Sequence, residues 1–289
     1  MRTRFVVNTR SGRAAAVYPE VRRFAEARGA EIVLTERARH GRELAAQAVA
    51  EGYERIVAVG GDGTMNEVAT ALVGTTATLG LVPCGSGDGL GRCLGLHGSL
   101  SRALRVLDTG ASRLIDVGWA DGHAFFTAAG IGFEAEIATR FNRLRRRGFF
   151  RYLTTSAKTF TAWQPQEYRI DENGATRTVT AFTLSVANAD QYGNNARIAP
   201  GARVDDGLLN LTAVPTVTVF NAIPLATRLF AGNVDQATGV VSLCGPRFVV
   251  HRQAPGPLHT DGEVHDAGLT IGFEVQARAL RVVCGEMAS

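Results

Sequence analysis

The chain has 289 residues, 45% of them hydrophobic, and a net charge of only +4. That length exceeds a usual single domain of roughly 100–150 residues and allows two, each with its own core. The charge is too small for a sequence-independent nucleic-acid binder, and no apolar run nears the roughly 18 residues that span a bilayer. No basic stretch leads into an apolar one at the N-terminus, so a cytoplasmic protein without a nucleic-acid partner is expected.

In chain order, "RFVVN" (4–8) predicts a strand, 16–29 a helix ending at Gly29, "EIVLT" (31–35) a strand, 41–52 a helix and "RIVAVG" (55–60) a strand. A helix over 64–73, the strand "TLGLVPC" (78–84), a second glycine-rich turn and a helix over 99–110 follow. Alternation at this spacing predicts a parallel sheet with helices on both faces. From about Ile115 the texture changes to hairpins with polar turns such as "DENGAT", interrupted by one helical segment around 134–163. The expectation is an α/β domain over 1–115 and an antiparallel β domain over 116–277, closely packed, with a ligand cleft at their junction.

Two nucleotide grips are excluded by one residue. Lys158 is the only lysine and follows no glycine loop, so neither a Walker A motif nor a strand lysine of the protein-kinase type is present. The four cysteines, Cys84, Cys93, Cys244 and Cys284, have no metal or disulfide spacing.

The chemistry sits in the turns. In Gly60-Gly61-Asp62-Gly63-Thr64 a buried strand runs into a helix, which brings backbone N–H groups and the positive helix end to one point, a nest for phosphate. Glycines let the backbone approach a ligand closely, while Thr64 and Asn66 add side-chain hydrogen bonds. Asp62 next to a polyphosphate is repulsive unless a cation intervenes, and Mg²⁺ takes oxygen ligands from carboxylates and phosphates together. An ordinary turn with Asp62 as helix N-cap is the bland alternative.

The second turn, "VPCGSGDGLGR" (82–92), fails the dinucleotide fingerprint in every frame and lacks the first glycine of a nucleophile elbow; it offers Ser86 and Asp88. "NTRSG" (8–12) offers Asn8, Ser11 and Gly12 at the end of the first strand. "HTDGEVH" (259–265) places Asp261 and Glu263 at alternate positions, able to share a face if the strand continues, with one of them fit to act as a general base toward a hydroxyl. Its bland alternative is a polar hairpin tip. "NRLRRRGFF" (142–150) is either a solvated helix face or a patch for an anionic membrane surface, with 143–151 as the expected contact.

Together these stretches resemble the superfamily of diacylglycerol kinases, sphingosine kinases and bacterial lipid kinases, which is related to NAD kinases. "GGDGTMNEV" looks like the family signature, "NTRSG" like its Asn-Pro-x-Ser-Gly, Thr35 like its nucleotide-contacting threonine and "TDGE" like its Asp-Gly-Glu block. The resemblance implies an N-terminal domain like that of NAD kinases and phosphofructokinases, a C-terminal β-sandwich, and ATP held at their junction. It implies Mg²⁺ and an alcohol acceptor, a lipid such as a diacylglycerol or long-chain base. Glu263, with Asp261, would be the base, and Asp62 would join the Mg²⁺–phosphate network or, as in the sphingosine kinase branch, take the base role. Asp206 of "VDDGLL", with the carbonyls of Arg203 and Leu208, would hold a structural Mg²⁺. A last strand at about 278–285 would return to the first domain.

The chain departs from the family pattern in three places. Asp88-Gly89 replaces Asn-Asp, Asn8-Thr9 replaces Asn-Pro, and "QYGNN" replaces a glycine-rich run. Three alternatives stay open beside the lipid kinase: a kinase for a non-lipid metabolite, a NAD kinase-like enzyme, and an inactive nucleotide sensor. The oligomeric state is also open, a homodimer among the options.

Overall fold

The computed structural model describes residues 1–142, 160, 162–218 and 220–285. It divides into two compact units, one of Met1–Val117, Val204–Asp206 and Gln276–Ser289, the other of Gly118–Arg203 and Gly207–Val275. The basic run at 143–151 and most of the helix expected up to 163 lie outside the described residues. No helix among the described residues is long and apolar enough to cross a membrane.

The first unit alternates β1 (Thr3–Val7), α1 (Ala14–Glu26), β2 (Glu31–Leu34), α2 (His40–Ala50), β3 (Arg55–Gly60), α3 (Asp62–Leu72), β4 (Thr78–Pro83), α4 (Gly89–Cys93) and α5 (Leu100–Thr109). Strands pair in parallel in the order β2-β1-β3-β4. β3 is an unbroken apolar run because both of its faces are covered, as parallel strands require. Phe5, Val57, Val59 and Val82 pack against Val21 and Ala25 of α1 and Leu104 and Leu107 of α5. α5 starts where Ser99 Oγ accepts from Arg102 N–H at 3.2 Å.

The chain crosses from β1 to β2 on one side and to β3 on the other, so a switch point opens between β1 and β3 at their carboxyl ends. Loops 8–12 and 84–88 and the Gly60–Gly61 turn into α3 leave the sheet at this edge, as does Thr35, whose N–H still donates to Val7 O at 2.9 Å.

The second unit is antiparallel, as expected. One sheet has the order β12 (Val241–Gly245), β11 (Leu209–Val214), β10 (Thr183–Ala187), β7 (Ala128–Gly132), β14 (Gly256–Thr260) and β15 (Glu263–Ala267). The other joins β13 (Arg247–Arg252), β8 (Gln166–Glu172) and β9 (Ala175–Ala181) to the first part of β16 (Thr270–Cys284). Tyr168, Phe248 and Phe273 from one sheet meet Ile131, Leu184 and Leu211 from the other in a common core. β5 (Ala111–Ala120) leads to the short β6 (His123–Phe125), and α6 (Phe133–Asn142) follows β7.

Two local expectations need correction. A further helix, α7 (Ala222–Ala231), stands between β11 and β12; Pro224 is tolerated in its first turn. The strand through "TDGE" does not continue, because Asp261 and Gly262 have φ of 48° and 84° and form the two-residue turn between β14 and β15.

Candidate active site

The glycine turn after β3 is built against the loops on either side of it. Ser11 Oγ accepts from Gly61 N–H at 2.9 Å, and Asn8 Nδ2 donates to Thr64 Oγ1 at 3.0 Å. Gly12 has φ +53°, and a Cβ there would overlap the Cys84 carbonyl oxygen. A Cβ on Gly85 would come within 3.1 Å of Gly61 Cα. The first approach admits glycine alone, and the second is tight for any larger residue. Gly63 faces open space and Ser86 is exposed, whereas Gly60, Gly61 and Thr64 are buried. Asn66 is half-buried one turn into α3.

Asp62 is not the N-cap of its own helix. Gly61 is the cap, and the Asp62 carboxylate reaches the neighbouring loop, accepting from Asp88 N–H at 3.1 Å and Gly89 N–H at 3.0 Å. It thereby closes the first turn of α4. Asp88 sits in left-handed backbone, φ 49°, and its Oδ1 accepts from Gly85 N–H at 2.9 Å. Burial, then the charge of Asp62, pushes the Asp88 carboxyl up to about 6. Burial likewise pushes the Cys84 thiol up to about 11, which leaves it inert as a nucleophile. Glu67, which sequence reasoning passed over, ties α3 to the start of α2, its carboxylate accepting from Arg39 N–H at 3.0 Å and Gly41 N–H at 2.9 Å.

In the second unit, Asp261 and Glu263 have separate positions. The Asp261 carboxylate accepts from the N–H groups of Phe126 at 2.7 Å, Thr127 at 2.9 Å and Ala128 at 3.0 Å, and from the Thr127 hydroxyl. These bonds lock the hairpin turn onto the β6–β7 connection. Glu263 opens β15 opposite Thr260 and is exposed.

Behind this hairpin lies a polar network with no sequence-level precedent. Glu134, on α6, accepts from the Tyr192 hydroxyl, which stands 2.8 Å from Ser185 Oγ, and lies 3.4 Å from His259 Nε2. His259 Nδ1 in turn accepts from Gly262 N–H at 3.4 Å. Gly130 leaves the space that the Glu134 carboxylate fills. The doubled glycines of "GIGFEAE" before an acidic helix start were the available signal.

Arg203, Asp206 and Leu208 fall in one loop before β11, which bends at Gly207 with φ +74°. Their donors are a carboxylate and two carbonyls, the hard oxygen set that Mg²⁺ prefers. Among the described residues no three His, Cys, Asp or Glu side chains cluster as a metal site, so backbone carbonyls are needed for any ion here.

Comparison with known proteins agrees with this fold. Residues 2–120 match the diacylglycerol kinase catalytic domain, and residues 127–284 the YegS C-terminal NAD kinase beta sandwich-like domain. An uncharacterized protein of Synechocystis is 28% identical over 227 residues, 75% of this chain and 52% of that protein, so the chain spans about half of that relative. A probable lipid kinase YegS-like of Pseudomonas aeruginosa is 31% identical over 245 residues, 83% of this chain and 80% of the relative. The crystal structure of a putative diacylglycerol kinase from Bacillus anthracis superimposes with a TM-score of 0.78 at 18% identity, covering 98% of this chain and 97% of that one.

Proposed function

The chain belongs to the family defined by the diacylglycerol kinase catalytic domain and the YegS-type C-terminal domain, and on that premise we propose an ATP-dependent phosphotransferase whose acceptor is a lipid hydroxyl, that of a diacylglycerol or a long-chain base.

The observation that carries this reading is the Gly60–Thr64 turn at the sheet's switch point, held by Ser11 and Asn8, with Gly63 open to a ligand. Loops 8–12 and 60–66 bind the ATP phosphates through backbone N–H groups at the start of α3, while Thr35 contacts the nucleotide and Ser86 and Asp88 border the site. Bare Gly85 and Gly87 keep Asp62 Oδ2 uncrowded, since a Cβ on either would come within 3.5 and 3.0 Å of it. With Asp88 beside it, the two carboxylates offer an all-oxygen donor set that fits Mg²⁺. When bound, Mg²⁺ supplies charge neutralisation at the phosphates. Asp206, with the carbonyls of Arg203 and Leu208, would hold a second, structural Mg²⁺.

Glu263 accepts the proton of the attacking hydroxyl. Asp261 supports it by fixing the turn from which β15 starts.

The test offers purified protein ATP and Mg²⁺ with a short-chain diacylglycerol, a long-chain base or NAD, one at a time. Phosphate transfer to a lipid is expected, and Glu263→Gln should lower kcat by about 10²–10⁴-fold with ATP binding unchanged. NADP as sole product, or full turnover by the variant, overturns the reading.

A further inference from the structure

The first unit has a recess, of about 430 Å³, that the proposed reaction does not use; Ser112, Arg113 and Leu114 of β5, Asp205, and Arg278 and Arg281 of β16 line it. Three arginines and one aspartate are thus among its lining residues. Among the described residues none of the three is engaged in an ion pair.

One of these arginines is held in an unfavourable backbone conformation. Arg278 has φ +53° inside strand β16. Seven other non-glycine residues share the left-handed region among the described residues; six are Asp or Asn, which tolerate it, and the seventh, Arg39, lies before α2 rather than within a strand. Glycine at 278 would relieve the strain, so an arginine there calls for a reason outside folding. The conformation is enforced by Asp116, which is fully buried. Its carboxylate accepts from Arg278 N–H at 2.7 Å, and its own N–H donates to Val204 O at 2.6 Å. One buried residue, through its carboxylate and its backbone N–H, therefore ties β5, the loop carrying Asp205 and β16 together, the three segments that line the recess.

We propose that this recess is an anion site that takes a phosphate or phosphodiester group on Arg113, Arg278 and Arg281. Guanidinium forks match tetrahedral oxyanions with paired N–H donors, and the surplus of cationic groups favours a doubly charged or polyanionic ligand over a neutral one. A free phosphate compound and the headgroup of an anionic lipid share this chemistry. The proposal does not depend on the kinase reading.

The test saturates the nucleotide site with a non-hydrolysable ATP analogue and titrates inorganic phosphate, following the melting temperature and binding heat. A parallel arm pellets the protein with vesicles of phosphatidylglycerol and phosphatidylcholine, or of phosphatidylcholine alone. The triple variant R113A/R278A/R281A is expected to lose at least about tenfold in affinity, and wild-type binding should weaken as salt rises. R278G alone should bind more weakly while melting at or above the wild-type temperature, a combination that misfolding does not produce. Binding in the phosphate arm assigns the site to a soluble anion, and binding in the phosphatidylglycerol arm alone to a headgroup at a membrane surface. No binding in either arm, or binding that the triple variant retains, overturns the proposal.

Discussion

Asp88 is a carboxyl group placed where its charge is costly. Its folded value of about 6 stands above the 3.8 of an unperturbed aspartate, so between these values the folded chain holds more protons than the unfolded one. Stability therefore falls as pH rises through that window. Asp88→Asn keeps an acceptor for Gly85 N–H and removes the charge. In metal-free buffer it should stabilise the protein by about 1–3 kcal/mol at neutral pH and change little below about pH 4. Urea melts at the two pH values measure this, and a variant less stable than wild type at neutral pH would refute it. Asp261 and Glu263 form a contrasting pair. Asp261→Asn turns a donor toward backbone N–H groups and should cost about 2–3 kcal/mol in thermal unfolding. Exposed Glu263→Gln should stay within about 0.5 kcal/mol of wild type while turnover collapses. Equal melting of both variants would mean that Asp261 does not hold its turn.

At the scale of elements, the parallel strands were legible because covering both faces leaves a continuous apolar run, as in β3, and each run ends at its turn. The three loops at the carboxyl edge of the sheet were legible for a related reason: close backbone approach demands glycine, and glycine marks the turn. Gly12→Ala should accordingly cost more than about 1 kcal/mol and weaken ATP binding, read by thermal melts with and without ATP; an unchanged melt would refute the contact with Cys84. The "DG" of "TDGE" carried its own turn signal, the Asp-Gly preference for two left-handed residues, which outweighs strand alternation. α7 was hidden by its surroundings. It follows the strand-like "TVTVF" and buries no residue fully; Leu225 and Leu229 pack against a core cluster, but Phe220, Ile223 and Phe230 are 90%, 75% and 57% exposed, so its core-facing stripe is short and masked by apolar residues outside it. The partners of Asp261 were illegible because Phe126–Ala128 lie more than 130 residues upstream, and no local period reports such a pairing.

For the molecule as a whole, the decisive strand is β16. Its first part pairs β13, and its last part lies parallel to β4, with Arg281 opposite Thr78 and Val282 opposite Leu79. Leu280, Val282, Val283 and Cys284 are at most 1% exposed. Each buried aliphatic side chain is worth about 1.5–3 kcal/mol, so ending the chain after Val275 removes an amount comparable to the whole stability of a domain, about 5–15 kcal/mol. Limited proteolysis of that truncation should digest residues 1–117 and spare 118–275; protection of both would contradict it.

Of the two units, the one begun earlier is thus the one completed later. β4 emerges with an open edge, and its neighbour follows only after the whole second unit has been translated, roughly 10–40 s later at elongation rates of about 5–20 residues per second. Until then the nascent chain exposes an apolar parallel sheet with no strand to cover that side, the kind of edge that seeds aggregation. The demand for chaperone cover during synthesis is therefore written into the position of the final strand.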